Sequence, residues 1–94
     1  MEALLDAGAG ELEEPLYHAA GNGFTAIAAL LLDHGADVHY GDDDVLWYTA
    51  HAGHLETATL LLQRGATAHN HILAAAVRQG HPGVADLLRA HGAV

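Results

Sequence analysis

The sequence predicts an all-α solenoid built from short helix–turn–helix repeats, and three observations predict it. First, one short segment recurs four times: LLDAG at 4–8, LLDHG at 31–35, LLQRG at 61–65 and LLRAHG at 87–92. Second, another glycine series, Gly23, Gly53 and Gly80, stands twelve residues before Gly35, Gly65 and Gly92. Eight residues before each of those earlier glycines come Pro15, Val45 and Ile72, each followed by leucine. Third, the apolar content is mostly Ala and Leu, strong helix formers, with few of the β-branched residues that favour strands. Self-similarity at a fixed period marks a repeat architecture.

The elements follow in order. Residues 2–8 read as a leading half-unit. The first helix of each full unit is expected over 15–22, 45–52 and 72–79. Pro15 suits a first helical turn, where its missing N–H is not needed. Asp44 stands where an N-cap acceptor is expected. Gly23, Gly53 and Gly80 end these helices, because glycine takes the left-handed cap conformation at little cost. The second helices are expected over 25–34, 55–64 and 82–91, with apolar stripes at Ile27, Leu30 and Leu31, at Leu60 and Leu61, and at Val84, Leu87 and Leu88. Thr57 stands where the other units carry Ile27 and Val84. Gly35, Gly65 and Gly92 close these helices. A pair this short buries its apolar face only by stacking on the next pair. The whole chain therefore reads as one domain, 1–94, with the half-unit at 1–8 and repeats at 9–38, 39–68 and 69–94.

These residues resemble the ankyrin repeat. Pro15-Leu16-Tyr17-His18-Ala19-Ala20-Gly21-Asn22-Gly23 is similar to that family's first helix, and Gly53-His54-Leu55-Glu56 and Gly80-His81 to its central turn. Leu30-Leu31-Leu32-Asp33-His34-Gly35-Ala36-Asp37-Val38 is similar to the end of its second helix. The resemblance covers nearly the whole chain. The family's period is about 33 residues, whereas Gly8, Gly35, Gly65 and Gly92 are spaced by 27, 30 and 27. The deficit falls where the family places its β-hairpin fingers, so short or absent fingers are expected, most of all around 9–14 and 66–71.

Composition removes several function classes. There is no cysteine or serine, hence no disulfide and no Ser or Cys nucleophile. No phosphate-binding glycine loop opens a helix. No catalytic function and no cofactor or metal is expected. No apolar run reaches the ~18 residues a bilayer span needs, and the acidic start lacks the basic region of a signal peptide; a cytoplasmic location is expected. Residues 1–44 hold ten of the twelve acids and no arginine, while 45–94 hold Glu56 and Asp86 against Arg64, Arg78 and Arg89. Such a field opposes direct contact with nucleic acid or anionic membrane.

The resemblance implies a protein-binding module, an adaptor or inhibitor, using the connection tips and the exposed positions of the first helices. Carried onto this chain, the connection positions are Tyr40, Asp42, Asp43, His39 and His69, and the helix positions are Asn22, Tyr48, His51, Arg78 and Gln79. Glu13 joins them through an expected cluster of six carboxylates, Glu11, Glu13 and Glu14 beside Asp42, Asp43 and Asp44. Trp47 is expected mainly in the packing between units, and Tyr48 as the better contact. The partner implied is a protein with a basic patch. Two other readings remain open: an acidic mimic of nucleic acid that inhibits a nucleic-acid-binding enzyme, and a segment that self-assembles weakly through uncapped repeat ends. Nine histidines raise metal binding or pH sensing. Repetition accounts for most of them: His54 and His81 after the turn glycine, where the ring is expected to bond backbone, His34 and His91 at helix ends, and His39 and His69 in equivalent connections.

Overall fold

Alanine and leucine set the helices and glycine sets their ends. The structure, a computed structural model, describes residues 12–93, and of residues 40–42 it describes the helical backbone alone. The leading half-unit and Glu11 lie outside the described residues. Within them are six helices and no strand: α1 (Glu13–Gly21), α2 (Thr25–Asp33), α3 (Tyr40–Ala52), α4 (Leu55–Gln63), α5 (Asn70–Arg78) and α6 (Pro82–Ala90). They pair as α1/α2, α3/α4 and α5/α6. The first helices α1, α3 and α5 stack into one layer, and the second helices α2, α4 and α6 into the other. The connections between pairs are short and carry no finger.

Glycine terminates every pair in the same way. Gly23, Gly53 and Gly80 have φ of 77°, 83° and 77°, the left-handed region that side chains with a Cβ resist. Behind them the same bond recurs: Phe24 N–H to Ala19 O, His54 N–H to Thr49 O and His81 N–H to Ala76 O. The second helices close likewise, with Ala36, Ala66 and Ala93 N–H donating to Leu31, Leu61 and Leu88 O. These bonds satisfy carbonyls that a helix end otherwise leaves open.

The core lies between the two layers. Leu16, Leu46 and Leu73 from the first helices meet Ala28, Ala58, Ala85, Leu61 and Leu88 from the second. The alanines have no bulk beyond Cβ, so backbones approach closely.

Three expectations change. The first helices begin two residues early at Glu13 and Asn70, and five early at Tyr40, so Tyr40, Asp42 and Asp43 are helical and not connection residues. Asp44 is inside α3 and caps nothing; the cap position falls to His39, without a side-chain cap bond. Asp43 itself has φ of 68°, so the opening turn of α3 joins the main run through one left-handed residue, a conformation aspartate tolerates better than most. Finally, the apolar stripe of α2 is not buried as drawn. Ile27 and Leu30 are 50% and 56% exposed, while Thr57 and Val84, which match Ile27, are buried and Leu60 and Leu87, which match Leu30, are half-buried. Positions 57 and 84 sit on helices with another second helix packed before them. No described helix precedes α2 in that layer.

Candidate functional site

Among the described residues, the exposed side of the first-helix layer concentrates the aromatic, acidic and imidazole side chains. Its register is simple. Glu14, Asp44 and His71 occupy one row, then Tyr17, Trp47 and Ala74, then His18, Tyr48 and Ala75, then Gly21, His51 and Arg78. The first two repeats thus present a carboxylate, aromatic rings and imidazoles. The third has an imidazole, His71, in place of the carboxylate, then alanines and a cation.

The aromatic rows are in contact. Tyr17 and Tyr48 meet edge to face with centroids 5.5 Å apart, and Tyr48 meets Trp47 the same way at 5.3 Å. His51 stacks on Trp47 at 4.9 Å and 20°. Such pairs hold rings in fixed orientations. Trp47 packs partly against the core, as expected of it, while Tyr48 remains 47% exposed. Between α1 and α3 lies a groove of about 480 Å³ lined by Glu14, Tyr17, His18, Asn22, Tyr48 and His51. A second recess of about 490 Å³ at the N-terminal end is more apolar, between Pro15, Ala19, Phe24 and Ile27.

The expected cluster of six carboxylates does not form as an outward patch. Glu11 and the Asp42 side chain lie outside the description. Glu14 and Asp44 are exposed, but Glu13 and Asp43 are buried. Each turns inward to the connection that follows its own unit. A Glu13 oxygen, Oε2, accepts the Asp37 N–H at 2.6 Å. Asp43 accepts the His39 ring Nδ1–H at 2.7 Å, the His69 Nε2–H at 2.8 Å and, longer, the Thr67 N–H at 3.4 Å. Carboxylates at equivalent positions therefore reach 24 residues onward to equivalent amides. Charge alone reads such residues as surface. The burial comes from a backbone donor that the next connection supplies. Glu13 and Asp43 thus face the joints between units.

The remaining candidates sort by place. His39 and His69 flank Asp43, and His69 stacks against His71 at 5.5 Å. Asn22 is exposed but its Nδ2–H is tied to the His18 carbonyl at 2.7 Å. Arg78 and Gln79 are exposed at the far end of α5. Tyr17, not among the expected contacts, belongs to the groove; its equivalence to Trp47 was the available signal.

His54 and His81 do bond backbone, and across units. His54 Nε2–H donates to Gly21 O at 3.2 Å, and His81 Nε2–H to His51 O at 3.1 Å. Among the described residues no group of three acidic, His or Cys side chains is arranged to hold a metal ion. No described helix is long and apolar enough to cross a membrane.

The family model of ankyrin repeats, in three copies, matches residues 1–70. No curated protein matches the chain.

Proposed function

The chain belongs to the ankyrin repeat family, whose repeats are generally protein–protein interaction modules and typically non-catalytic; from that premise we propose that it docks one protein partner on the exposed face of α1, α3 and α5. The observation that carries this reading is the preorganised row of Tyr17, Tyr48, Trp47 and His51. Rings held by one another bind without first giving up rotamer freedom, and exposed aromatics in such a setting are the usual anchors of interfaces. Tyr48 and His51 lead the contacts, with Glu14, Asn22, Arg78 and Gln79 around them. The net charge of −9 suits a partner with a basic patch and speeds the encounter. Glu13 and Asp43, occupied within the joints, are not among the contacts, and that removes two of the carboxylates that nucleic-acid mimicry would need. The exposed Phe24, Ile27 and Leu30 at the edge of the described residues support a second reading, self-association, whose signature is a molar mass that rises with concentration.

The test is affinity capture from native lysate with three baits: the natural chain, Tyr48→Ala with His51→Ala, and Glu56→Gln with Gln63→Ala on the opposite layer. One protein is expected on the first and third baits and missing from the second. Equal capture on all three would show that the first-helix face is not where docking occurs.

A further inference from the structure

The groove between α1 and α3 has a chemistry that selects its occupant. We propose that it receives an arginine side chain from a basic segment of the partner, with the guanidinium on the exposed Tyr48 ring and against the Glu14 carboxylate. The inference rests on the docking reading above and names what is docked.

Four observations carry it. The groove is large enough for one long side chain, at about 480 Å³, and open to solvent along its length. Its walls offer π-surface: Tyr48 stands against Tyr17 at 5.5 Å, and Trp47 backs Tyr48 and His51. A cation over such rings is attracted by their quadrupole. Its mouth is acidic. Glu14 lines it, Asp44 holds the same row on α3, and both are exposed. No ion pair among the described residues involves either: Arg64 is on Asp33 and Arg89 on Asp86, both elsewhere. Arg78, the remaining arginine, does not line the groove, so no arginine of the chain holds these carboxylates. The groove's other end is formed by the last turns of α1 and α3, at Gly21 and Ala52, where helix dipoles place partial negative charge.

An anionic side chain would meet that negative charge unfavourably, and a purely apolar one would leave Glu14 without compensation. Arginine fits better than lysine because its planar guanidinium stacks on a ring and grips a carboxylate with two parallel N–H groups. The third repeat shows the contrast: the matching rows there are His71, Ala74, Ala75 and Arg78, with neither carboxylate nor Tyr or Trp ring to hold a cation.

Trp47 is the chain's single tryptophan and touches the groove's aromatic wall, so its emission reports occupancy directly. The probe is an octa-arginine peptide, with octa-lysine and octa-glutamate of equal length for comparison, titrated at physiological ionic strength. Octa-arginine is expected to shift Trp47 emission saturably and to bind at least several-fold more tightly than octa-lysine, with octa-glutamate silent. Tyr48→Ala and Glu14→Gln, both at exposed positions, are each expected to weaken octa-arginine about tenfold, the size of one good cation–π or charge-assisted contact. Glu56→Gln on the other layer is expected to leave it unchanged. Equal affinity of natural chain, Tyr48→Ala and Glu14→Gln would overturn the groove assignment, because binding would then follow net charge alone. So would an absence of binding by the natural chain, or a lysine peptide that binds as tightly. Failure of the docking reading is read separately: capture from lysate that ignores Tyr48 overturns both proposals, whereas a captured protein that needs Tyr48 but binds equally after its arginines are replaced overturns only the cation.

Discussion

The two joints of the stack, between the first and second helix pairs and between the second and third, use the same register positions with different chemistry. At the first joint Glu13 reaches the Asp37 amide, Thr25 and Thr57 share a hydroxyl–hydroxyl bond of 2.7 Å, and Arg64 pairs with Asp33 at 2.8 Å. At the second, Asp43 gathers His39, His69 and the Thr67 amide, the threonine positions become Leu55 and Val84, and the ion-pair positions become Gln63 and His91. What stays the same is the staple from a turn histidine to the preceding unit's first helix, His54 to Gly21 O and His81 to His51 O. Backbone geometry is thus held by glycine and histidine at fixed places. The side chains between them are free to be polar at one joint and apolar at the other.

The sharpest break of that comparison is at Asp43. Its side chain is buried, and it holds two imidazoles from two connections. Asp43→Ala removes the acceptor from all of them, and the loss is expected to be about 2–3 kcal/mol, below the full cost of breaking a buried pair because both histidines reach solvent. Asp43→Asn keeps the shape, tolerates the left-handed backbone and still accepts hydrogen bonds, so it should lose about half as much. Urea unfolding followed by circular dichroism measures both. An alanine variant within about 0.5 kcal/mol of the natural chain would mean that Asp43 is not the anchor of the second joint.

The next break compares one glycine with its counterpart. Gly53 and Gly80 share a positive φ, but a Cβ on Gly53 would come within 2.5 Å of the His81 ring, whereas one on Gly80 meets nothing within 4 Å. Gly80→Ala carries the backbone term alone, about 1 kcal/mol. Gly53→Ala carries that term and also displaces the staple, so about 2 kcal/mol is expected. Equal costs would show that the staple contributes nothing beyond the turn itself.

These glycines were legible in the sequence because a left-handed cap leaves few alternatives to glycine, and a twelve-residue spacing between two glycine series has no other simple source. The second helices began where the pattern put them for the same reason. The start of α3 was not legible, since an Asp-rich run before a helix reads equally as connection, cap or first turn. The inward turn of Glu13 and Asp43 was hidden because burial there is decided by an amide 24 residues away. Ile27 and Leu30 were misread for a complementary reason: periodicity gives a face, but only a neighbouring helix buries it. On the candidate site, Tyr48, His51 and Asn22 were reachable from position in the repeat. The groove itself was not, because it depends on how the rings of two units meet.

The smallest expected effect separates the polar layer from the apolar one. Thr57 is buried and its hydroxyl is matched only to Thr25 across the first joint. Thr57→Val alone leaves the Thr25 hydroxyl without that partner and should cost about 1 kcal/mol. The double variant Thr25→Val with Thr57→Val removes donor and acceptor together and makes this layer resemble Leu55 and Val84. It should fall within about 0.5 kcal/mol of the natural chain, since replacing both partners by apolar groups of similar shape is close to neutral. The resulting coupling in a double-mutant cycle is what identifies the bond as a local pairing. If instead the double variant is worse than the sum of the two single ones, the hydroxyls are holding the register between α2 and α4, and the two joints differ in how they are aligned as well as in what they are made of.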